Sequence, residues 1–272
     1  MKTPISYYGG KQQLSEIIVR LIPPHKLYCE PFFGGGAVYF AKQPSEVEVI
    51  NDINSEVVNF YKVVKNDFFA LQNEIETTLH SRAAHAQARV INKNPDLFNA
   101  IKRAWAFWTL ANMSFGSDMS GGFGFDNSGQ MTRKITNKIN NFTAVISTRL
   151  RNTQIECYDA LKIIGARDTP ETFFYLDPPY PDTDQGHYNG YTTADFSALL
   201  ELLTTIQGKF LLSSFRNKSL TENTIKNNWN QFELTMNKSM TAKDEKQLQK
   251  IEVFTANYPI EKAGYGLLSL FD

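Results

Sequence analysis

Residues 175–181 read Tyr-Leu-Asp-Pro-Pro-Tyr-Pro, an apolar run closed by an acid, two prolines and an aromatic. Prolines fix their own φ and push the preceding residue out of the helical region, so the segment is a rigid, extended turn. Asp177 offers a carboxylate acceptor. The carbonyl of Pro178 cannot be drawn into a helix, because Pro179 follows it. Two fixed acceptors can take both hydrogens of an exocyclic amine, and Tyr180 supplies a flat face for its ring. An aromatic amine is a poor nucleophile while its lone pair is delocalised. Acceptors pulling on both hydrogens favour a pyramidal nitrogen and concentrate that lone pair for attack, which is preorganised electrostatics. A proline-rich connecting turn is the plainer reading of the same four residues.

A second stretch, Tyr28-Cys-Glu-Pro-Phe-Phe-Gly-Gly-Gly-Ala-Val-Tyr-Phe40, puts Gly34, Gly35 and Gly36 between a strand and a helix. Glycines there allow positive φ and close approach of a ligand to the backbone. The spacing is not the six-residue dinucleotide fingerprint, and no phosphate-loop Gly-Lys-Ser/Thr is present. Asp52 closes the next strand about 20 residues on, where an acid accepts hydrogen bonds from ribose hydroxyls. The pair points to a ribose-bearing cofactor that needs no pyrophosphate cradle. Asp159 and Asp177 also follow strands, so three strand-end acids converge on the carboxyl edge of a sheet, where open α/β folds bind ligands. Asp159 also suits a helix N-cap.

The elements that must position these groups alternate. Leu14, Ile17, Ile18 and Leu21 fall at helical spacing until Pro23-Pro24 stop the run. Strands are expected around the glycine turn, at Val47–Asp52, at Gln154–Cys157, at Thr172–Asp177, at Lys209–Phe215, and around 231–237 and 250–258. A helix is expected at about 194–206. Residues 66–113 read as helical throughout, and 114–133, with five glycines among aromatics and small polar residues, as a loop or irregular hairpin. The class is α/β, a doubly wound sheet interrupted by a helical insertion.

Formal net charge is zero, yet residues 80–155 hold ten Lys/Arg against three acids, leaving the remainder acidic by seven. A basic middle in an acidic chain suits a polyanion; a solvated helical surface is the alternative. The two cysteines, Cys29 and Cys157, lie far apart without ligand spacing and are expected to pack as small apolar groups in a reduced, intracellular setting. The four histidines form no zinc pattern, so no metal is expected. No apolar stretch reaches the roughly 20 residues that span a bilayer, and the N-terminus lacks a signal-peptide core.

Tyr-Tyr-Gly-Gly-Lys near the start, Glu-Pro-Phe-Phe-Gly-Gly-Gly, Asn-Asp-Ile-Asn-Ser-Glu, Leu-Asp-Pro-Pro-Tyr-Pro and a late Phe-Thr-Ala-Asn-Tyr-Pro occur in the order seen in DNA adenine-N6 methyltransferases of the Dam type (D12 class, alpha group), which this chain resembles over nearly its whole length. The resemblance implies a Rossmann-like class I methyltransferase sheet with helices on both faces, plus an inserted, mostly helical target-recognition domain. It implies a catalytic, cofactor-binding domain of residues 1–64 and 151–272 and an insertion of 65–150. It implies S-adenosylmethionine as cofactor, with Tyr7, Lys11, Glu30, Pro31, Gly34, Gly35, Gly36, Asp52, Asp159 and Asp177 around it, and Asp177, Pro178, Pro179 and Tyr180 as the catalytic turn. The expected partner is double-stranded DNA, with a cognate restriction endonuclease acting separately, in the cytoplasm of a bacterial or phage-infected cell.

On this reading the target adenine leaves the stack, Tyr180 stacks on it, and Asp177 with the Pro178 carbonyl holds N6 in line with the methyl group. The basic insertion supplies phosphate contacts, and loop 114–133 enters a groove or wedges a base step. Arg133, Lys134 and Lys138 are the named DNA-binding candidates. Relatives that read GATC carry an arginine- and asparagine-rich hairpin that 116–130 does not reproduce, so that target is not carried over. Residues 181–196 are expected to form a lid, with His187, Tyr188 and Tyr191 either closing over the base or packing the loop. Cytosine-N4 methyl transfer and a non-catalytic nucleic-acid binder on the same fold are the rival readings.

Overall fold

The computed structural model describes residues 1–7, 9–180, 190–236 and 250–260. Among these, seven strands form one sheet: β1 (Leu27–Glu30), β2 (Val47–Asn51), β3 (Thr153–Glu156), β4 (Thr172–Leu176), β5 (Lys209–Ser214), β6 (Asn230–Met236) and β7 (Lys250–Ala256). Their order is β3-β2-β1-β4-β5-β7-β6. Strands β1 to β5 pair in parallel, and β7 runs antiparallel between β5 and β6. Order reverses between β1 and β4, which opens a crevice beyond their carboxyl ends. The glycine turn leaves β1 and the Asp-Pro-Pro-Tyr turn leaves β4, so the two motifs face each other across that crevice.

Both faces of the sheet are covered, and the side chains sort by period 2. Tyr28, Phe173, Tyr175, Leu211 and Phe254 pack on one side, with helices α1 (Ser15–Leu21), α2 (Ala37–Ala41) and α3 (Ser55–Asn66). Cys29, Phe174, Leu176, Leu212 and Val253 pack on the other, with α9 (Ala160–Arg167), α10 (Thr193–Leu203) and α11 (Lys218–Lys226). Helix α10 starts where Thr192 and Asp195 form a reciprocal capping box.

Between α3 and β3 lie α4 (Phe68–Glu76), α5 (Arg82–Lys93), α6 (Ala100–Met113), α7 (Gln130–Asn140) and α8 (Ala144–Leu150). Every residue of α6 from Ala104 to Met113 is buried. Phe107 sits 5.6 Å, ring to ring, from Phe60 of α3 and 6.4 Å from Tyr7. These helices therefore join the same apolar cluster as the sheet face. Each large side chain so buried contributes about 1.5–3 kcal/mol.

The glycine-rich stretch is an irregular loop pinned by one antiparallel bridge, Ser114 to Phe123, but it is shorter than its composition suggests. Asp126 accepts from the backbone N–H groups of Ser128, Gln130 and Met131, and this starts α7 at Gln130. Cys29 packs in the core as expected, whereas Cys157 is exposed. The difference follows from topology: Cys157 trails β3, an edge strand of the sheet, and stays exposed beside Ile53 O.

Candidate active site

The glycine turn is shaped by what presses on it. Gly34 and Gly36 adopt φ of +46° and +65°, a region costly for other L-residues. A Cβ on Gly36 would stand 2.4 Å from the Phe33 ring, and one on Gly35 would stand 2.8 Å from Tyr7 Cβ. The glycines thus let Tyr7 lie directly against the turn. Asp52, buried at the end of β2, accepts from Gly34 N (2.8 Å) and Asn54 N (2.9 Å). Burial raises its pKa to about 6, against the two backbone donors, which lower it. Asn51, which the motif reading passed over, ties the turn together. Its Nδ2 donates to Pro31 O and Tyr158 O, both at 3.0 Å, and its Oδ1 accepts from Tyr158 N. A buried amide on the last residue of a central strand was the available signal.

Glu30, at the end of β1, is buried and accepts from Tyr28 Oη at 2.7 Å. Desolvation lifts its pKa to about 8. At neutral pH the Glu30 carboxyl is therefore mostly protonated.

Across the crevice, Asp177 is half-buried and Pro178 is buried. Lys11 reaches this turn from the N-terminal segment. Its Nζ donates to Asp177 Oδ1 (2.7 Å) and Tyr180 Oη (2.8 Å). Burial works against the ammonium, but Asp177 and Glu252 outweigh it and hold the Lys11 pKa above its ordinary value. Tyr180 Oη in turn donates to Glu252 Oε1 at 2.6 Å, and the Tyr180 ring packs on Phe215 with centroids 4.1 Å apart.

Two adjoining cavities open here. One of about 420 Å³ is lined by Pro31, Phe32, Asp52, Ile53, Asp159 and Leu161, among others. A smaller one of about 40 Å³ is lined by Tyr7, Lys11, Glu30, Gly35, Gly36 and Tyr175, among others. Phe32, Gly34 and Asp177 belong to both walls. Every residue expected around the cofactor therefore borders one of the two spaces. Asp159 also caps α9, accepting from Lys162 N at 3.0 Å, so the N-cap reading of that acid is met while the same residue lines the larger cavity. Tyr191 lines the larger cavity, edge-on to Phe32. His187 and Tyr188 lie outside the described residues.

The basic middle is less free than its charge count implies. Lys102, Arg103 and Arg149 are paired with Glu74, Glu56 and Glu48. Arg149 is also stacked on Tyr39, 3.7 Å from the ring centre. Lys138 donates to Thr3 O at 3.2 Å, and its burial lowers its pKa to about 8. Arg133 and Lys134 are exposed on α7, and Arg82 lies over the rings of Phe123 and Phe125 in the loop. His80 and His85 brace that loop. The His80 ring nitrogens bond Gly124 O and Thr132 Oγ1, and His85 bonds Ser114 Oγ. Among the described residues no cluster of three or more His, Cys, Asp or Glu could hold a metal ion, and no helix is long and apolar enough to cross a membrane.

Comparison with known proteins converges on one chemistry. The family model described as D12 class N6 adenine-specific DNA methyltransferase matches residues 7–251. The type II methyltransferase M.MjaIII of Methanocaldococcus jannaschii is 29% identical over 72% of this chain and 75% of its own length. The type II methyltransferase M1.LlaDCHI of Lactococcus lactis subsp. cremoris is 26% identical over 92% of this chain and 93% of its own. The DNA N-6-adenine-methyltransferase of Escherichia phage P1 is 28% identical over 72% of this chain and 27% of its own.

Proposed function

This chain belongs to the D12 class of N6 adenine-specific DNA methyltransferases, and from that premise we propose how its residues carry out the transfer. The enzyme moves a methyl group from S-adenosylmethionine to N6 of adenine in DNA. The cavity linings suit that donor. Asp52 offers carboxylate oxygens at a depth where ribose hydroxyls can replace water. Phe32, Ile53 and Leu161 give apolar walls for its adenine, and Glu30 and Asp177 flank the space left for its cationic end. Bound there, the donor supplies a methyl group already activated by a sulfonium.

The remaining work falls to the Asp-Pro-Pro-Tyr turn. Asp177 and the Pro178 carbonyl accept the two N6 hydrogens, fixing the amine and pulling its lone pair out of conjugation. Tyr180 is 8% exposed, its hydroxyl tied back to Lys11 and Glu252 and its ring on Phe215, so it forms a fixed wall on which the flipped base would stack once its rim is uncovered. After transfer the N6 proton leaves through Asp177, the nearest base. Residues 65–150 are assigned to target recognition, with Arg133 and Lys134 on phosphates and Lys138 as a brace for the N-terminal segment. We assign a separately encoded endonuclease of the same site as the biological counterpart, because two relatives carry type II methyltransferase names.

The observation that carries the proposal is that Asp177 belongs at once to the wall of the glycine-lined cavity and to a turn fixed by two prolines. The test is Asp177→Ala, with nucleoside mass spectrometry on methylated DNA and calorimetry of S-adenosylmethionine binding. N6-methyladenine formation should fall by at least about 10²–10³-fold, the cost of losing one preorganised catalytic partner, while cofactor binding is partly retained. Full methylation by the variant refutes the assigned role.

A further inference from the structure

Glu252 lies on β7, fully buried, paired with Leu234 of β6 and one residue beyond the last pair that β7 makes with β5, Ser214 with Val253. A carboxylate at 0% exposure costs several kcal/mol to desolvate unless its partners compensate. Its Oε1 is compensated three times over. Ser213 Oγ on β5 donates at 2.5 Å, Tyr180 Oη donates at 2.6 Å, and Lys11 Nζ stands 3.4 Å away. Its Oε2 has no hydrogen bond among the described residues. A packing role would be filled better by an apolar side chain of the same size, so the retained charge needs another explanation.

The partners supply it. Lys11 and Tyr180 both touch Glu252, and both also touch the catalytic turn. We propose that Glu252 is a positioning residue: it keeps the Lys11 ammonium charged and seated between Asp177 and Tyr180, so that Asp177 stays ionised and aimed at the amine. The inference rests on the role given to Asp177 above and extends it one layer inward. Lys11 Nζ also donates to Gly9 O at 3.4 Å, and without Glu252 the ammonium would face a single carboxylate and shift toward that carbonyl. The charged and titratable groups around it are Asp177 and Tyr180 beyond β4, Tyr175 on β4, Glu30 on β1 and Glu252 on β7. Among the described residues, Asp177 and Glu252 are the two carboxylates within ion-pair distance of Lys11 Nζ, at 2.7 and 3.4 Å.

Glu252→Gln keeps the shape and an oxygen for Ser213 and Tyr180 but removes the charge. It should bind S-adenosylmethionine nearly as the wild type does, with kcat lower by about tenfold or more. The alkaline limb of its kcat–pH profile should move down by about one unit, because Lys11 has lost one of its two anions. The Lys11 titration, followed by ¹³C NMR of labelled lysine, should move the same way independently of activity. An unshifted limb and an unshifted Lys11 titration would overturn the proposal, whatever happens to kcat. Should Glu252→Gln fail to fold, Glu252→Asp takes its place: the carboxylate is drawn back and the Lys11 titration must fall below the wild-type value, an identical titration being the overturning result. A folded wild type that makes no N6-methyladenine would instead overturn the catalytic reading, since the NMR arm reports on Lys11 without turnover.

Discussion

Lys11 and Asp177 are 166 residues apart in the chain and 2.7 Å apart in the fold, the amine 6% exposed and the carboxylate 20%. One lies just after the N-terminal Gly pair, the other at the end of a central strand. Their meeting ties the N-terminal segment to the Asp-Pro-Pro-Tyr turn beside the two cavities.

Removing the cation should therefore hurt both stability and turnover. Lys11→Met takes away the ammonium that Asp177 and Glu252 share, a loss of up to about 3–5 kcal/mol by comparison with other broken buried pairs. The amine's pKa is raised in the fold, so its contribution is complete below the ordinary lysine value of 10.5 and disappears as pH climbs through the higher folded value. Urea unfolding of both proteins at pH 7.5 and above pH 11 should show a large gap that narrows at the alkaline end.

Glycine positions make opposite predictions. Gly36→Ala forces a Cβ to 2.4 Å from Phe33 at φ +65°, and should destabilise by roughly 2 kcal/mol or more while weakening S-adenosylmethionine binding. Gly165, inside α9 with nothing within 4 Å of its added Cβ, should gain about 0.4–1 kcal/mol on conversion to Ala. Denaturant midpoints of the two variants, with calorimetry on the first, check both signs.

Glu30 sets a pH slope. Burial lifts its pKa to about 8 in the fold from the ordinary glutamate value of 4.5, so the folded protein holds this proton more tightly than the unfolded chain does. Its contribution is greatest below pH 4.5 and diminishes as pH rises toward 8. Glu30→Gln should flatten that part of the stability profile, measured by unfolding from pH 5 to 8. A cation arriving beside Glu30 lowers its pKa. Cofactor binding near pH 7 should accordingly release a proton, detected by calorimetry in buffers of different ionisation heat, and Glu30→Gln should abolish the release.

Among the basic residues, position in the fold decides function. Lys134→Ala should reduce the slope of log K against log salt for DNA binding by about 1, with little effect on stability. Arg149→Met should leave that slope unchanged and destabilise by less than the roughly 3–5 kcal/mol of a fully broken buried pair, since Glu48, 6% exposed, loses its guanidinium partner but keeps Lys42 Nζ at 2.5 Å. Filter binding across salt concentrations and urea unfolding separate the two effects.

The strands and the backbone of both turns were legible because glycine and proline act locally: a run of three glycines or a proline pair dictates its backbone wherever it occurs. Asp52 and Asp177 were legible for the same reason, as acids at the ends of apolar runs. Glu252 was not, because an acid in Lys-Ile-Glu-Val-Phe-Thr-Ala resembles the solvent face of an edge strand. Only the placement of β7 between β5 and β6 buries it. The pairing of Arg149 with Glu48 was hidden similarly, since partners 101 residues apart leave no spacing signal. The charge count of the middle segment consequently overstated what DNA can reach. The exposed Cys157 depended on β3 being the outermost strand, a fact of topology rather than of composition.

Helix α6 carries the last consequence. Its Asn112 accepts from Ser6 N at 3.0 Å, one residue before the tyrosine that lies on the glycine turn, while Ser114, just past its end, opens the aromatic loop. The helix is a stiff rod with the aromatic loop at one tip and the glycine turn beside it. Grafting a relative's loop onto it is a matter of mechanical fit as much as of side-chain contacts, because a graft that tilts the rod shifts the turn.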